Sequence, residues 1–423
     1  MKLLKSFINQ IYKWHPNTPF FYGWLILIVI GFGQFIATSL AQSTFGGVQD
    51  LIVTNMSWDR KTIALAATFG TWGAGSLSPF IGKGVDKFGP RWIMFLAALF
   101  VGAGLIILGN VQTLWQFFFV YIIVRAIAGP SLQNVVPRTV AVNFFESKKN
   151  AALGITAFSR IFGESTNLQI ITILSTFFSW KIAYRVLGLI ALPLSIPIFL
   201  FIRHNPEEIG LLVDGNNTNK IKEEIILKKE KKWKTQEILK LPAFWIVILG
   251  DAASVICTSM IIFQLVPFLV DSGTSQITAS LALTLGNLLG GFFIPIWGLI
   301  IDKTNIKVVA ISVILACMLM TSLFLISTPG VISFSISLIW TAATTITFVL
   351  GTMLLASIFN RESFGTVQGI AGLARTLSLG LGPSIGAFSI SWAGSYTPIF
   401  LIGTLGYAAT IFLYMNLSRT SNH

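Results

Sequence analysis

Charge is what this sequence has least of. Only 11% of its 423 residues are Asp, Glu, Lys or Arg, 54% are hydrophobic, and the mean hydropathy is +0.78. Soluble domains carry about a quarter charged residues, so a water-exposed globular fold of this length is excluded. Histidine is nearly as scarce: His15, His204 and His423 make up the whole set, and all lie outside the apolar runs. That argues against a histidine metal centre and against an intramembrane histidine proton relay. The two cysteines, Cys257 and Cys317, each sit inside an apolar run, which leaves no disulfide framework. The glycine-rich stretches at Gly70–Gly75 and Gly286–Gly291 are not followed by G-K-[ST], so they do not read as phosphate-cradling loops. The ~10-residue alternation of a membrane β-barrel is missing too. With no nucleophile, metal cluster or cofactor motif, an enzyme is the weakest reading, and neither a metal nor a cofactor is expected.

What fills the chain is a series of apolar runs, each able to cross a hydrocarbon core of about 30 Å. We place six at about 20–42, 62–82, 91–110, 114–142, 150–174 and 183–203. Six more fall at about 243–270, 276–300, 306–327, 331–358, 364–389 and 396–416. The expected fold class is an all-α polytopic membrane protein, with twelve transmembrane helices in two six-helix bundles. No small-residue cleavage site follows the first run, so it is expected to be a retained helix and not a signal peptide. Between the sixth and seventh runs, Asn205–Leu241 is polar and lysine-rich. It divides the chain into bundle 1–204, linker 205–241 and bundle 242–423. Lys and Arg concentrate in the amino terminus, in this linker and in loops on the same side, which predicts cytoplasmic termini and a cytoplasmic linker. The net charge of +13 is mostly this topology signal. It implies a lipid bilayer around the chain and no nucleic-acid partner.

The two halves repeat each other. Gly154-Ile155-Thr156-Ala157-Phe158-Ser159-Arg160 returns 215 positions later as Gly369-Ile370-Ala371-Gly372-Leu373-Ala374-Arg375. A second pair follows the second and eighth runs: Gly82 to Asp86-Lys87 with Arg91, and Gly298 to Asp302-Lys303 with Lys307. Parallel six-helix repeats with a midplane site between halves are an established transporter plan.

The stretch Gly82 to Arg91 resembles the G-x-x-x-D-[RK]-x-G-x-[RK] loop of the major facilitator superfamily. Arg125-Ala126-Ile127-Ala128-Gly129 resembles that superfamily's R-x-x-x-G pattern in its fourth helix. Phe21-Tyr22-Gly23-Trp24, Asn205 to Leu211 and Pro242-Ala243-Phe244-Trp245 are similar to the monocarboxylate and oxalate–formate porter branch. The fifth helix departs from that branch, because Arg160 and Glu164 stand where small residues and a G-P are usual. The resemblance implies alternating access around a central site. It implies gating roles for Gly82, Asp86, Lys87, Arg91, Gly298, Asp302 and Lys303.

Arg160 and Arg375 each fall ~15 Å deep at 1.5 Å per residue. Neither can snorkel from there, and a charge at that depth costs several kcal/mol unless it faces protein, an opposite charge or water. We read Arg160, Arg375 and Arg125 as substrate-binding cations for a small organic anion, a mono- or dicarboxylate. Planar guanidinium suits a carboxylate fork. The alternative for each arginine is a structural ion pair. Glu164 lies four residues from Arg160 on the same helix face, so the two can pair. Asp251 has no charged neighbour within a turn and is expected to be protonated, paired across the bundle or wetted. Both acids are candidates for proton coupling, with a counter-anion as the other coupling partner. Efflux of cationic or neutral compounds, and a non-transporting sensor, are the rival readings. A monomer in a bacterial inner membrane is expected.

Overall fold

The computed structural model describes residues 16, 18–145, 149–212, 235–327, 330–359 and 361–417, and their regular structure is helical throughout. The first half comprises α1 (Tyr22–Thr38), short α2 (Gln42–Gly46) and α3 (Gln49–Met56), α4 (Arg60–Phe88), α5 (Pro90–Leu108), α6 (Leu114–Ala128), a π-helical turn at Gly129–Asn134, α7 (Val135–Phe144), α8 (Lys149–Phe177) and α9 (Trp180–Phe201). After α10 (Thr235–Lys240) come α11 (Pro242–Asp271), α12 (Gln276–Lys303), α13 (Ile306–Leu323), α14 (Val331–Ile358), α15 (Arg361–Ala393) and α16 (Thr397–Met415). With α6, the π turn and α7 taken as one run, twelve long helices appear among the described residues where the hydropathy placed them.

Among the described residues, nine of these segments are long and apolar enough to cross a membrane by composition alone. The three that fall short are α4, α8 and α15. Two of them carry the mid-helix arginines. Their polarity is tolerated only where neighbouring protein or water replaces lipid.

Helix ends follow local chemistry. Thr113 and Gln116 form a reciprocal capping box at the start of α6. Gly89 takes a positive φ of 77° after α4, and Pro90 opens α5 at a position where its missing N–H costs nothing. The G-x-x-x-D-K stretches, expected as loops, are instead the last turns of α4 and α12. The reason is length: 29 residues span roughly 44 Å at 1.5 Å each, so α4 outruns the hydrocarbon and keeps its backbone ladder into polar surroundings. Trp180, which opens α9, is 1% exposed and packs inside the protein, whereas Trp115 in the first turn of α6 is 80% exposed.

By contacts the chain separates into two compact units. One contains Met1–Leu40, Gly73–Glu164 and Lys181–Leu227; the other contains Ala41–Trp72, Ser165–Trp180 and Lys228–His423. The second unit therefore joins parts of the first-half helices to all of α11–α16. Within it Gly286 and Gly290 of α12 lie against Thr341 and Thr345 of α14, where any Cβ would overlap the neighbour. Glycine there lets the backbones approach, as packing without a hydrophobic drive between helices requires.

Candidate functional site

In the second unit Arg375, near the middle of α15, reaches Asp251 on α11. Its Nη1 donates to both carboxylate oxygens at 3.3 Å. The side chains are 21% and 14% exposed, and the face of Phe348 lies 5.4 Å from the guanidinium carbon. Asp251 is thus paired across the bundle, one of the three states the sequence left open. Gly351 of α14 makes the room: a Cβ built there would overlap Asp251 Oδ1. Arg375 Nη2 is buried and has no hydrogen-bond partner among the described residues. A partly open pocket of about 30 Å³ is lined by Asp251, Arg375, Thr352, Gly351 and Gly372, with apolar neighbours. The arrangement neutralises half of a guanidinium and leaves the other half able to donate.

The first unit holds the matching arginine. Arg160 Nη1 meets Glu164 Oε2 at 3.3 Å within α8, with 29% and 15% of the side chains exposed. Both repeat arginines therefore carry one acid each, but the acids come from different places. Glu164 is on the arginine's own helix, and Asp251 is on another. Arg125 on α6 is only 6% exposed, and its Nη1 donates to Gln133 Oε1 at 3.3 Å. It also lies within electrostatic reach of Glu164 and Arg160.

The matched cations of the second repeat do the same structural job in both units. Arg91 is 3% exposed; its Nε donates to the Phe199 carbonyl at 2.5 Å, and its guanidinium stacks on the Phe199 ring. Lys307 donates to the carbonyls of Met415 and Leu417 at 2.7 and 2.6 Å. Each cation satisfies carbonyls at the end of its unit's last long helix, α9 or α16, where the helix dipole is negative. Gly82 and Lys87 lie in the last turns of α4. The backbones of Asp86, Gly298, Asp302 and Lys303 are helical, but their side chains lie outside the described residues.

A polar seam in the second unit was missed by the sequence reading. Pro383 in α15 cannot donate to the Leu379 carbonyl, and Pro267 in α11 cannot donate to that of Phe263. Both freed carbonyls are taken. Gln42 Nε2 and Ser259 Oγ donate to Leu379 at 2.9 and 2.6 Å, and Gln49 Nε2 donates to Phe263 at 2.8 Å. Gln169 of α8 adds bonds to Thr284 and Ser280 of α12. At one end of the seam Arg60 bonds Asp50 and Tyr396, the latter at 3.0 Å, and stands 3.9 Å from Asp271, which accepts from Tyr396 at 2.6 Å. Burial pushes the Asp50 carboxyl above the usual carboxylate range even with Arg60 beside it. The available signal was partial: the two prolines within apolar runs mark the freed carbonyls, and Gln42 and Gln49 are polar residues in need of partners.

Mid-helix arginines paired with acids inside the protein, a polar seam and, among the described residues, twelve long helices of which nine are apolar enough to cross a membrane describe a multi-pass membrane protein. Residues 24–383 match the Major Facilitator Superfamily, and the chain belongs to it. An MFS-type transporter of Gibberella moniliformis is 27% identical over 210 residues, 47% of this chain and 48% of that protein. The oxalate:formate antiporter of Oxalobacter formigenes is 25% identical over 230 residues, 54% of this chain and 51% of that protein. The chain spans about half the length of the curated relatives it matches. Among solved structures, a variant of the nucleoside transporter NupG superposes with a TM-score of 0.72 at 14% identity, covering 93% of this chain and 100% of that one. A bacterial homologue of the human lysosomal transporter Spinster, inward-facing and unoccupied, gives 0.62 at 14% identity, covering 95% of each chain. At such identity the likeness concerns the fold alone.

Proposed function

We propose that this chain is a secondary active transporter that moves a small organic anion, a mono- or dicarboxylate, by alternating access, with proton symport or anion exchange as the coupling. The observation that carries the reading is Arg375: a mid-helix guanidinium with Nη1 held by Asp251 and Nη2 buried, unpartnered and beside a pocket. Keeping a donor unsatisfied at that depth is costly, and an arriving carboxylate removes the cost. Three arginines (Arg125, Arg160, Arg375) against two acids (Glu164, Asp251) leave a positive surplus that favours an anion over a cation. The likeness to an oxalate:formate antiporter agrees with that sign. Counterflow into proteoliposomes tests it. Oxalate or formate inside should drive uptake of labelled anion, and organic cations should not. Cation-driven uptake with no response to anions would transfer the substrate role to Asp251 and Glu164.

Alternating access also requires the seam of the second unit to open, and with the termini cytoplasmic the seam closes the outer side. Asp50, Arg60, Asp271 and Tyr396 are its charged clasp. Gln42→Leu with Gln49→Leu removes the glutamine donors from both proline-freed carbonyls and leaves Ser259 alone on that of Leu379. A cysteine at Ser43, in a background lacking Cys257 and Cys317, should then react several-fold faster with an impermeant maleimide in intact cells. The clasp adds a pH dependence. The raised Asp50 carboxyl takes up protons more readily in the closed seam than in water, so labelling should slow as pH falls. An unchanged labelling rate in the double variant would remove the seam from closure.

A further inference from the structure

The proposed site in the first unit leaves one polar side chain unused, and it sits on an irregular turn. The α-helical ladder of the fourth run is interrupted at Gly129–Asn134 by π-helical geometry just after α6. Single π turns inside longer helices often occur at functional sites because they re-aim the side chains that follow. Gln133 lies on this turn, 5% exposed, with Oε1 accepting from Arg125 Nη1 at 3.3 Å. Its backbone carbonyl accepts from Gln34 Nε2 at 3.5 Å, which ties the turn to α1. Arginine has only donors, so the carboxamide can meet it with one end only: the oxygen faces Arg125 and the Nε2 amide faces away. Among the described residues nothing accepts from Nε2, and the atom is not sealed from solvent as Gln34 Oε1 is. Arg125 in turn lies within electrostatic reach of Arg160 and Glu164. The cluster thus holds two guanidinium cations, one carboxylate and an oriented amide donor.

We propose that Gln133 positions the substrate: its Nε2 donates to a carboxylate oxygen of the anion held at Arg160, and Arg125 acts through it by fixing which way the amide points. This rests on the anion-transport reading and assigns that site a further determinant. It also moves Arg125 from direct contact to the support of a contact.

Gln133→Glu separates the roles. The substitution keeps the oxygen that Arg125 needs and the side-chain volume, but replaces the amide donor with a second negative oxygen. On purified full-length protein, titrated with oxalate and with formate, the Kd should weaken at least tenfold at pH 7.5, on the order of a single lost charge-assisted bond. It should recover as pH is lowered and the new carboxyl is protonated. The melting temperature should hold or rise, because Arg125 gains a charged partner. A wild-type Kd in this variant at every pH would make Gln133 a structural bond to Arg125 and overturn the assignment. Gln133→Met, which lacks the donor at similar size, covers a failure of the Glu variant to fold; it should lose affinity without recovery at low pH, and unchanged affinity would again overturn it. If wild-type protein binds neither oxalate nor formate, the transport reading itself falls and this assignment falls with it.

Discussion

Arg375→Gln is expected to weaken anion binding by a factor on the order of 100 or more, because truncating one partner of a buried charge pair costs about 2–5 kcal/mol. Two losses add in that variant. The substrate loses the buried Arg375 Nη2, which has no hydrogen-bond partner among the described residues, and Asp251 is stranded 14% exposed without its counter-ion. Breaking a buried pair from one side destabilises by about 3–5 kcal/mol, so the melting temperature should fall too. Asp251→Asn in the same protein should restore folding, since both charges leave together, but not affinity. That contrast separates a binding arginine from a structural one. Recovery of both quantities in the double variant would end the case for Arg375 as a ligand. Arg375→Lys should fare poorly as well, because one ammonium cannot serve Asp251 and a carboxylate with the two-pronged geometry available here. Asp251→Asn alone should keep anion exchange while uphill uptake loses its dependence on pH. Uptake that follows pH as before would leave Asp251 as a counter-ion only.

The second large effect belongs to Arg160. If Arg160 binds the anion, Arg160→Gln should abolish high-affinity binding by a similar factor, on the order of 100. The intrahelical pair makes the test sharp. Arg160→Gln with Glu164→Gln removes both charges of a pair 3.3 Å apart, so expression should return to the wild-type level. Affinity should stay lost. Titration of purified protein is the measurement, because lost uptake in cells also follows from misfolding. Wild-type affinity in the double variant would leave Arg160 a structural partner of Glu164 and Arg375 the binding arginine.

Much of this was legible in the chain. Twelve apolar runs required twelve helices, because a backbone in hydrocarbon must satisfy its own hydrogen bonds and a helix does so within one segment. The repeat placed arginines near the middle of α8 and α15. Arg160 with Glu164 was readable too, since four residues along a helix bring two side chains to one face. Helix ends were less so. Hydropathy falls where α4 and α12 leave the bilayer, yet the backbone ladder continues to Phe88 and to Lys303. The eye therefore saw loops where there are final helical turns.

Only the tertiary structure decided who answers Arg375. Asp251 stands 124 positions away, and no periodicity links residues on different helices. Packing chose it, through the space Gly351 leaves at the crossing of α11, α14 and α15. The roles of Arg91 and Lys307 have the same origin: each cation is plain in the sequence, but the helix end it caps is more than a hundred residues further on. Pro267 and Pro383 show the division most clearly. The sequence alone states that the carbonyls of Phe263 and Leu379 lose their helical partners, because proline has no N–H to give. That Gln49 and Gln42 supply the missing donors is a matter of which helices lie side by side, and a linear chain does not record that.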